Sequence, residues 1–125
     1  MNLALWIAAG LLAAVALTGG ISKTFVLREK LAAAHGGGWT GAVGDGFVKT
    51  LGVLELLAAA GLVLPAAIGI APVLVPVTAA AWTLLMIGAM ITHGRRGERA
   101  FVGLNLVYLV IALAVAVGRF GPGAF

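Results

Sequence analysis

The sequence predicts an all-α integral membrane protein, a four-helix bundle whose helices cross the bilayer. Three observations carry that prediction. Of the 125 residues, 62% are apolar and only 10% are charged, against about 25% charged in an average soluble domain. The apolar residues fall into four segments, each near the roughly 20 residues a transmembrane helix needs. The eight basic residues cluster at or beside the ends of these segments. A chain of this size cannot hide so much apolar surface inside itself, so its expected solvent is lipid.

The segments follow in order. Span one covers about residues 3–22. The stretch MNLALWIAAGLLAAVALTGG has no basic residue ahead of its apolar run, and that run exceeds the 7–15 residues or so of a signal-peptide core. It reads as a retained span. Span two covers about residues 47–64 and carries Lys49 and Glu55. PAAIGI then makes a short uncharged turn. Span three covers about residues 71–92; Pro72 suits a helix start, and Pro76 is placed to kink the first turns. HGRRGER leads to span four, about residues 100–118. The longest connection, residues 23–46, contains REKLAAAH, enough for one or two helical turns, and then a glycine-rich stretch. Together the spans read as one domain over residues 1–125.

Direction follows from charge. The first and third connections share one side of the membrane and carry Lys23, Arg28, Lys30, Lys49, Arg95, Arg96 and Arg99; the other side carries Arg119. The positive-inside rule places the basic connections in the cytoplasm and both termini outside. The net charge of +4 therefore speaks of lipid headgroups and orientation, with no nucleic acid implied. The cysteine count is zero, which excludes disulfides, zinc thiolates and thiol redox chemistry. Two histidines, His35 and His93, are too few for a histidine-rich metal site. Small-xxx-small pairs at Gly10/Ala14, on the Gly52–Glu55–Ala59 face and at Ala112/Ala116 are candidate helix contacts.

Glu55 is the costly residue. It lies about eight residues into span two, roughly 12 Å deep, too far for a short side chain to reach water. An intramembrane carboxyl group faces the bundle interior, where it is protonated, paired with a cation or set beside a wet cavity. Depth matching gives its candidate neighbours: Lys23 closing span one, with Thr18 and Ser22 nearby; His93 closing span three, beside Thr92; and Asn105 and Tyr108 in the first turns of span four. All fall in the cytoplasmic half. The expectation is an internal polar pocket that opens to the cytoplasm under the glycine-rich connection, with mid-span Trp82 in its wall or in the packing. Trp6 and Trp39 suit the interfacial belts.

The motifs that carry this cluster also carry a resemblance. TGGISK, REKLAA, VKTLGVLELLAAAGLVLPAAIGIAPVLVPVTA, HGRRGE and NLVYLVIALAVAVGRFGP, in that order, resemble the DoxX-like family of small bacterial four-span membrane proteins. The resemblance covers nearly the whole chain. It implies roles for a basic residue after a small-residue pair, for a glutamate in a GxxE context and for a histidine closing span three, here Lys23, Glu55 and His93. It also implies a setting, since relatives are linked to a thiosulfate:quinone oxidoreductase subunit and to membrane complexes handling oxidative stress, and distant animal relatives look like receptor-assembly chaperones.

Three functions compete. In the first, a lipophile such as a quinone or a sterol-like molecule enters the bundle. Glu55 exchanges a proton with it, Lys23 or Asn105 orients Glu55, His93 relays protons, and Thr18, Asn105, Tyr108 and Trp82 line the site. Such a site serves quinone reduction in a membrane redox system, or acid–base chemistry of the isomerase type. Electrons would come through a bound quinone or flavin or from a membrane or cytoplasmic redox partner protein. In the second, the bundle is a scaffold or assembly factor that recruits a partner through its basic loops. In the third, a homo-oligomer builds a pore, although the spans show neither the paired internal repeat nor the broken helices of transporters.

Overall fold

The computed structural model describes residues 1–34 and 36–125; His35, at the end of the REKLAAAH segment, lies outside the described residues. The elements are α1 (Asn2–Phe25), α2 (Arg28–Ala33), a 3₁₀ turn (Gly38–Ala42), α3 (Asp45–Ala67), α4 (Leu74–Arg95) and α5 (Arg99–Phe120). The helices α1, α3, α4 and α5 are the four spans, with 22 to 24 residues each. At 1.5 Å per residue they run roughly 33–36 Å, a fair match to a hydrocarbon core of about 30 Å. All four are apolar enough to cross a membrane, and the chain is a multi-pass membrane protein.

Spans one, two and four are longer than their apolar cores suggested, because polar and charged residues continue the helix into the interface; the third keeps its length and is shifted toward its basic end. Two ends differ for specific reasons. The second span runs through Pro65 to Ala67 instead of stopping at Leu64; a proline there forfeits only the bond to the Gly61 carbonyl, close to where the helix would end anyway. The third begins at Leu74 and not near Ala71, since Ala71 takes a left-handed backbone (φ 47°). Pro76 then falls in the first turn, where its missing N–H has no intrahelical partner to lose, so it breaks no bond of α4.

The spans are arranged as a square. α1 packs on α3 and α5, and α4 packs on α5 and α3, so that α3 and α5 occupy one diagonal. Leu12, Leu62, Val75, Ala79, Trp82 and Val115 fill the centre. The outer faces carry exposed Leu3, Leu11, Leu57, Leu84 and Val117, the inside-out pattern expected when lipid covers the surface. The Gly10/Ala14 pair is a correction. Both residues are exposed, and a side chain at Gly10 would meet nothing within 4 Å. The buried face of α1 runs instead through Leu5, Ala9, Leu12, Ala16 and Gly20. Ala112 and Ala116 are buried as expected, on the inner face of α5.

Both ends of the bundle are closed. At the basic end, the α2 and 3₁₀ connection lies over the helix ends. Arg28 donates to the Val43 carbonyl within that connection. Gly36 and Gly38 sit where any side chain would collide with Phe101 and Arg96. At the opposite end, Arg119 is only 5% exposed. Its guanidinium donates to Asn2 Oδ1 and to the Gly123 carbonyl, both at 2.8 Å, and lies 3.8 Å from the Phe125 ring centroid. Trp6 meets Phe125 edge-on. Arg119 thus fastens the start of α1 to the chain end, beyond its charge.

Candidate functional site

The site grows from one helix crossing. Near the basic end, α1 and α3 approach through glycines: a Cβ on Gly20 would lie 2.9 Å from the Gly52 carbonyl oxygen, and a Cβ on Gly52 would lie 2.8 Å from the Thr24 amide nitrogen. Only residues without side chains allow that spacing. Helical side chains lean toward the N-terminus, so Lys23 folds back over the turn containing Gly19. A Cβ on Gly19 would stand 3.1 Å from Glu55 Oε1 and 3.3 Å from Lys23 Nζ. The absent side chain therefore makes room for the ion pair.

Glu55 is 6% exposed. Lys23 Nζ donates to Oε1 at 3.2 Å and sits 2.9 Å from Oε2. The second contact is electrostatic and poorly aligned, so Oε2 is buried without a hydrogen bond. The Lys23 side chain keeps 19% of its surface exposed. Its Nζ lies 5.9 Å from the Trp39 ring centroid, so the cover over the basic end touches the pair through the cation.

A groove of about 370 Å³ lies beside Glu55 in the seam between α3 and α4. Leu51, Leu54, Leu57 and Ala58 line it from α3, and Val77, Thr78, Ala81, Trp82 and Leu85 from α4. Leu54, Leu57 and Val77 are exposed, so the groove opens sideways through the lipid-facing surface. That corrects the expected opening under the glycine-rich connection, which covers the basic end. The volume falls within the range of small-molecule sites, roughly 300–1,000 Å³. Trp82 is 2% exposed, and its indole Nε1 has no hydrogen-bond partner. The groove is thus walled by two residues with a buried polar atom that makes no hydrogen bond among the described residues, Trp82 Nε1 and Glu55 Oε2, the latter in ionic contact with Lys23.

The other residues singled out in the sequence lie elsewhere. His93 is buried, but its Nδ1 is 2.7 Å from Glu98 Oε1 and its ring stacks on Phe101. Its partner comes from the α4–α5 turn and not from α3. Thr18 is exposed and returns its hydroxyl to the Ala14 carbonyl. Asn105 and Tyr108 are half-buried on α5, and Tyr108 packs against the apolar core. The diagonal explains their separation from Glu55: equal depth does not make neighbours of opposite corners. Gly19 and Gly20 were missed, although their signal stood in TGGISK, two glycines one turn before the basic residue.

These features define a class, a small four-span membrane bundle with a buried interhelical ion pair beside a lipid-facing groove. The chain belongs to the DoxX-like family, whose model matches residues 7–115. The match takes in Lys23, Glu55, Trp82 and His93. No curated protein and no solved structure matches the chain.

Proposed function

We propose that this protein is a membrane component of a redox or oxidative-stress system and that its α3–α4 groove binds a lipophilic small molecule, a quinone. The observation that carries the reading is Glu55 at the groove wall, hydrogen-bonded to Lys23 through Oε1 and held at Oε2 by ionic contact alone, with no hydrogen bond there among the described residues. A packing link alone has no need of a lipid-open groove against the same carboxyl group.

Reduction of a quinone to a quinol takes two electrons and two protons. The electrons come from a partner redox protein. Glu55, once protonated from the basic end, hands one proton to the quinone oxygen beside it, and Lys23 holds the resulting carboxylate; the second proton is taken up at the other oxygen from the membrane interface as the hydroquinone anion leaves the groove. On this reading the basic end is cytoplasmic. Protons reach the pair from there, past Lys23, whose side chain keeps 19% of its surface exposed. The apolar walls exclude water, and the side opening lets the isoprenoid tail stay in the bilayer.

Two other readings are separated by the same test. A scaffold would use the Lys23–Glu55 pair as a packing lock only, and an isomerase-type enzyme would use Glu55 on a lipophile without electron transfer. A decyl-substituted benzoquinone is expected to raise the thermal midpoint of the wild-type protein in detergent, by about 2.7 kcal/mol of stabilisation at a hundred times its Kd. Glu55→Gln keeps the side-chain shape and is expected to lose that rise. An equal rise in both proteins would remove Glu55 from the site, and no rise in either would favour the scaffold.

A further inference from the structure

The quinone reading leaves open what orients the ligand, and the inference here rests on that reading. Trp82 is the residue the ion pair does not account for. Its indole nitrogen carries a hydrogen that can only donate, and a buried indole N–H normally finds an acceptor. Among the described residues it has none, although Trp82 is 2% exposed and forms part of the groove.

No acceptor of the groove lining hydrogen-bonds the indole. The polar side chains of the lining besides Trp82 are Thr78 and Glu55. The Thr78 hydroxyl is engaged with the Leu74 carbonyl at 2.6 Å. Glu55 is held from the α1 side by Lys23. The remaining lining is aliphatic.

We propose that the Trp82 indole N–H anchors a carbonyl oxygen of a lipophile that enters the groove from the bilayer, and that it makes the site selective for carbonyl-bearing molecules. A carbonyl is satisfied by the one donor, whereas a hydroxyl accepting the same bond brings a proton that the aliphatic lining around it leaves unpaired. The two buried atoms without a hydrogen bond, Trp82 Nε1 and Glu55 Oε2, also suit a single ring. α3 and α4 run antiparallel, and counting from the basic end puts Glu55 about 15 Å and Trp82 about 20 Å along their helices. One turn separates them along the bundle axis, an offset that matches a ring with oxygens on opposite sides. Trp82 then fixes one oxygen while Glu55 exchanges a proton with the other. Trp82 acts as a positioning residue and takes no part in proton transfer.

The test uses a matched pair of probes, menadione and 2-methylnaphthalene, which share a ring system but differ in the two carbonyls. The chain has three tryptophans, Trp6, Trp39 and Trp82, so ¹⁵N-labelled protein in micelles shows three indole N–H resonances. The resonance missing in Trp82→Phe is expected to move downfield with menadione and to stay in place with the hydrocarbon. Trp82→Phe is expected to bind menadione about tenfold more weakly and to bind the hydrocarbon unchanged. If Trp82→Phe does not fold, Trp6→Phe and Trp39→Phe assign the resonances by elimination, and the wild-type titration decides. Menadione binding that depends on Glu55 but leaves the Trp82 resonance and the Trp82→Phe affinity unchanged would overturn the anchor alone. Absence of menadione binding would overturn the anchor and the ligand site together.

Discussion

Lys23→Ala is expected to destabilise the bundle by roughly 3 kcal/mol, because removing one partner of a buried ion pair strands the other. Glu55 would keep its place between α1 and α3 with Oε1 also unpaired. The double substitution Lys23→Met with Glu55→Met removes both charged groups and supplies apolar side chains of similar bulk. It is expected to recover most of the lost stability, since a well-packed apolar pair commonly matches a buried ion pair. The recovered protein is still expected to bind no quinone. Unfolding by sodium dodecyl sulfate in mixed micelles reads the stability, and the benzoquinone thermal shift reads the site. A double variant as unstable as Lys23→Ala would mean that the polar pair itself holds the helices together.

The second large effect is expected at the helix crossing. Gly52→Val puts a branched side chain where even a Cβ would lie 2.6 Å from the Thr24 hydroxyl oxygen and 2.8 Å from the Thr24 amide nitrogen. Backbone cannot yield as a flexible side chain can, so α1 and α3 must part. Overpacking costs of about 1–3 kcal/mol are typical, and the parting also draws Lys23 away from Glu55. Gly20→Val, which meets Leu56 and the Gly52 carbonyl, is expected to behave alike. Gly10→Val is the control: its side chain would enter open lipid-facing space, and stability is expected to stay within about 0.5 kcal/mol of wild type. Equal losses at Gly10 and Gly52 would show that general helix propensity, and not the crossing, governs the effect.

Much of this architecture was legible in the sequence. Span number and approximate limits follow from apolar run length, because lipid leaves a helix few other solutions. Depth was legible as well: counting residues from the basic ends brought Lys23 to the level of Glu55, and the two meet. What depth leaves unspecified is which corner of the square each helix occupies. Asn105 and Tyr108 stand at a suitable depth on α5, yet the diagonal keeps them from Glu55. His93 finds Glu98 in its own turn, a short-range partner that depth matching passed over. Gly10/Ala14 and Ala16/Gly20 read alike in an Ala/Gly-rich helix, and only packing separates the lipid face from the buried one. Arg119 had counted as a topological charge, while the structure gives it the task of joining the two chain ends. The Trp82 orphan N–H had no sequence signal, since a mid-span tryptophan reads equally as packing.

The most direct measurement is mass spectrometry of the protein purified in mild detergent from its native membranes, read for small molecules and for protein partners. The account predicts a carbonyl-bearing lipophile at near-stoichiometric amount in the wild type, depleted in Glu55→Gln and in Trp82→Phe. A protein partner recovered equally with wild type and both variants, with no lipophile in any of them, would contradict it and leave Glu55 a packing residue.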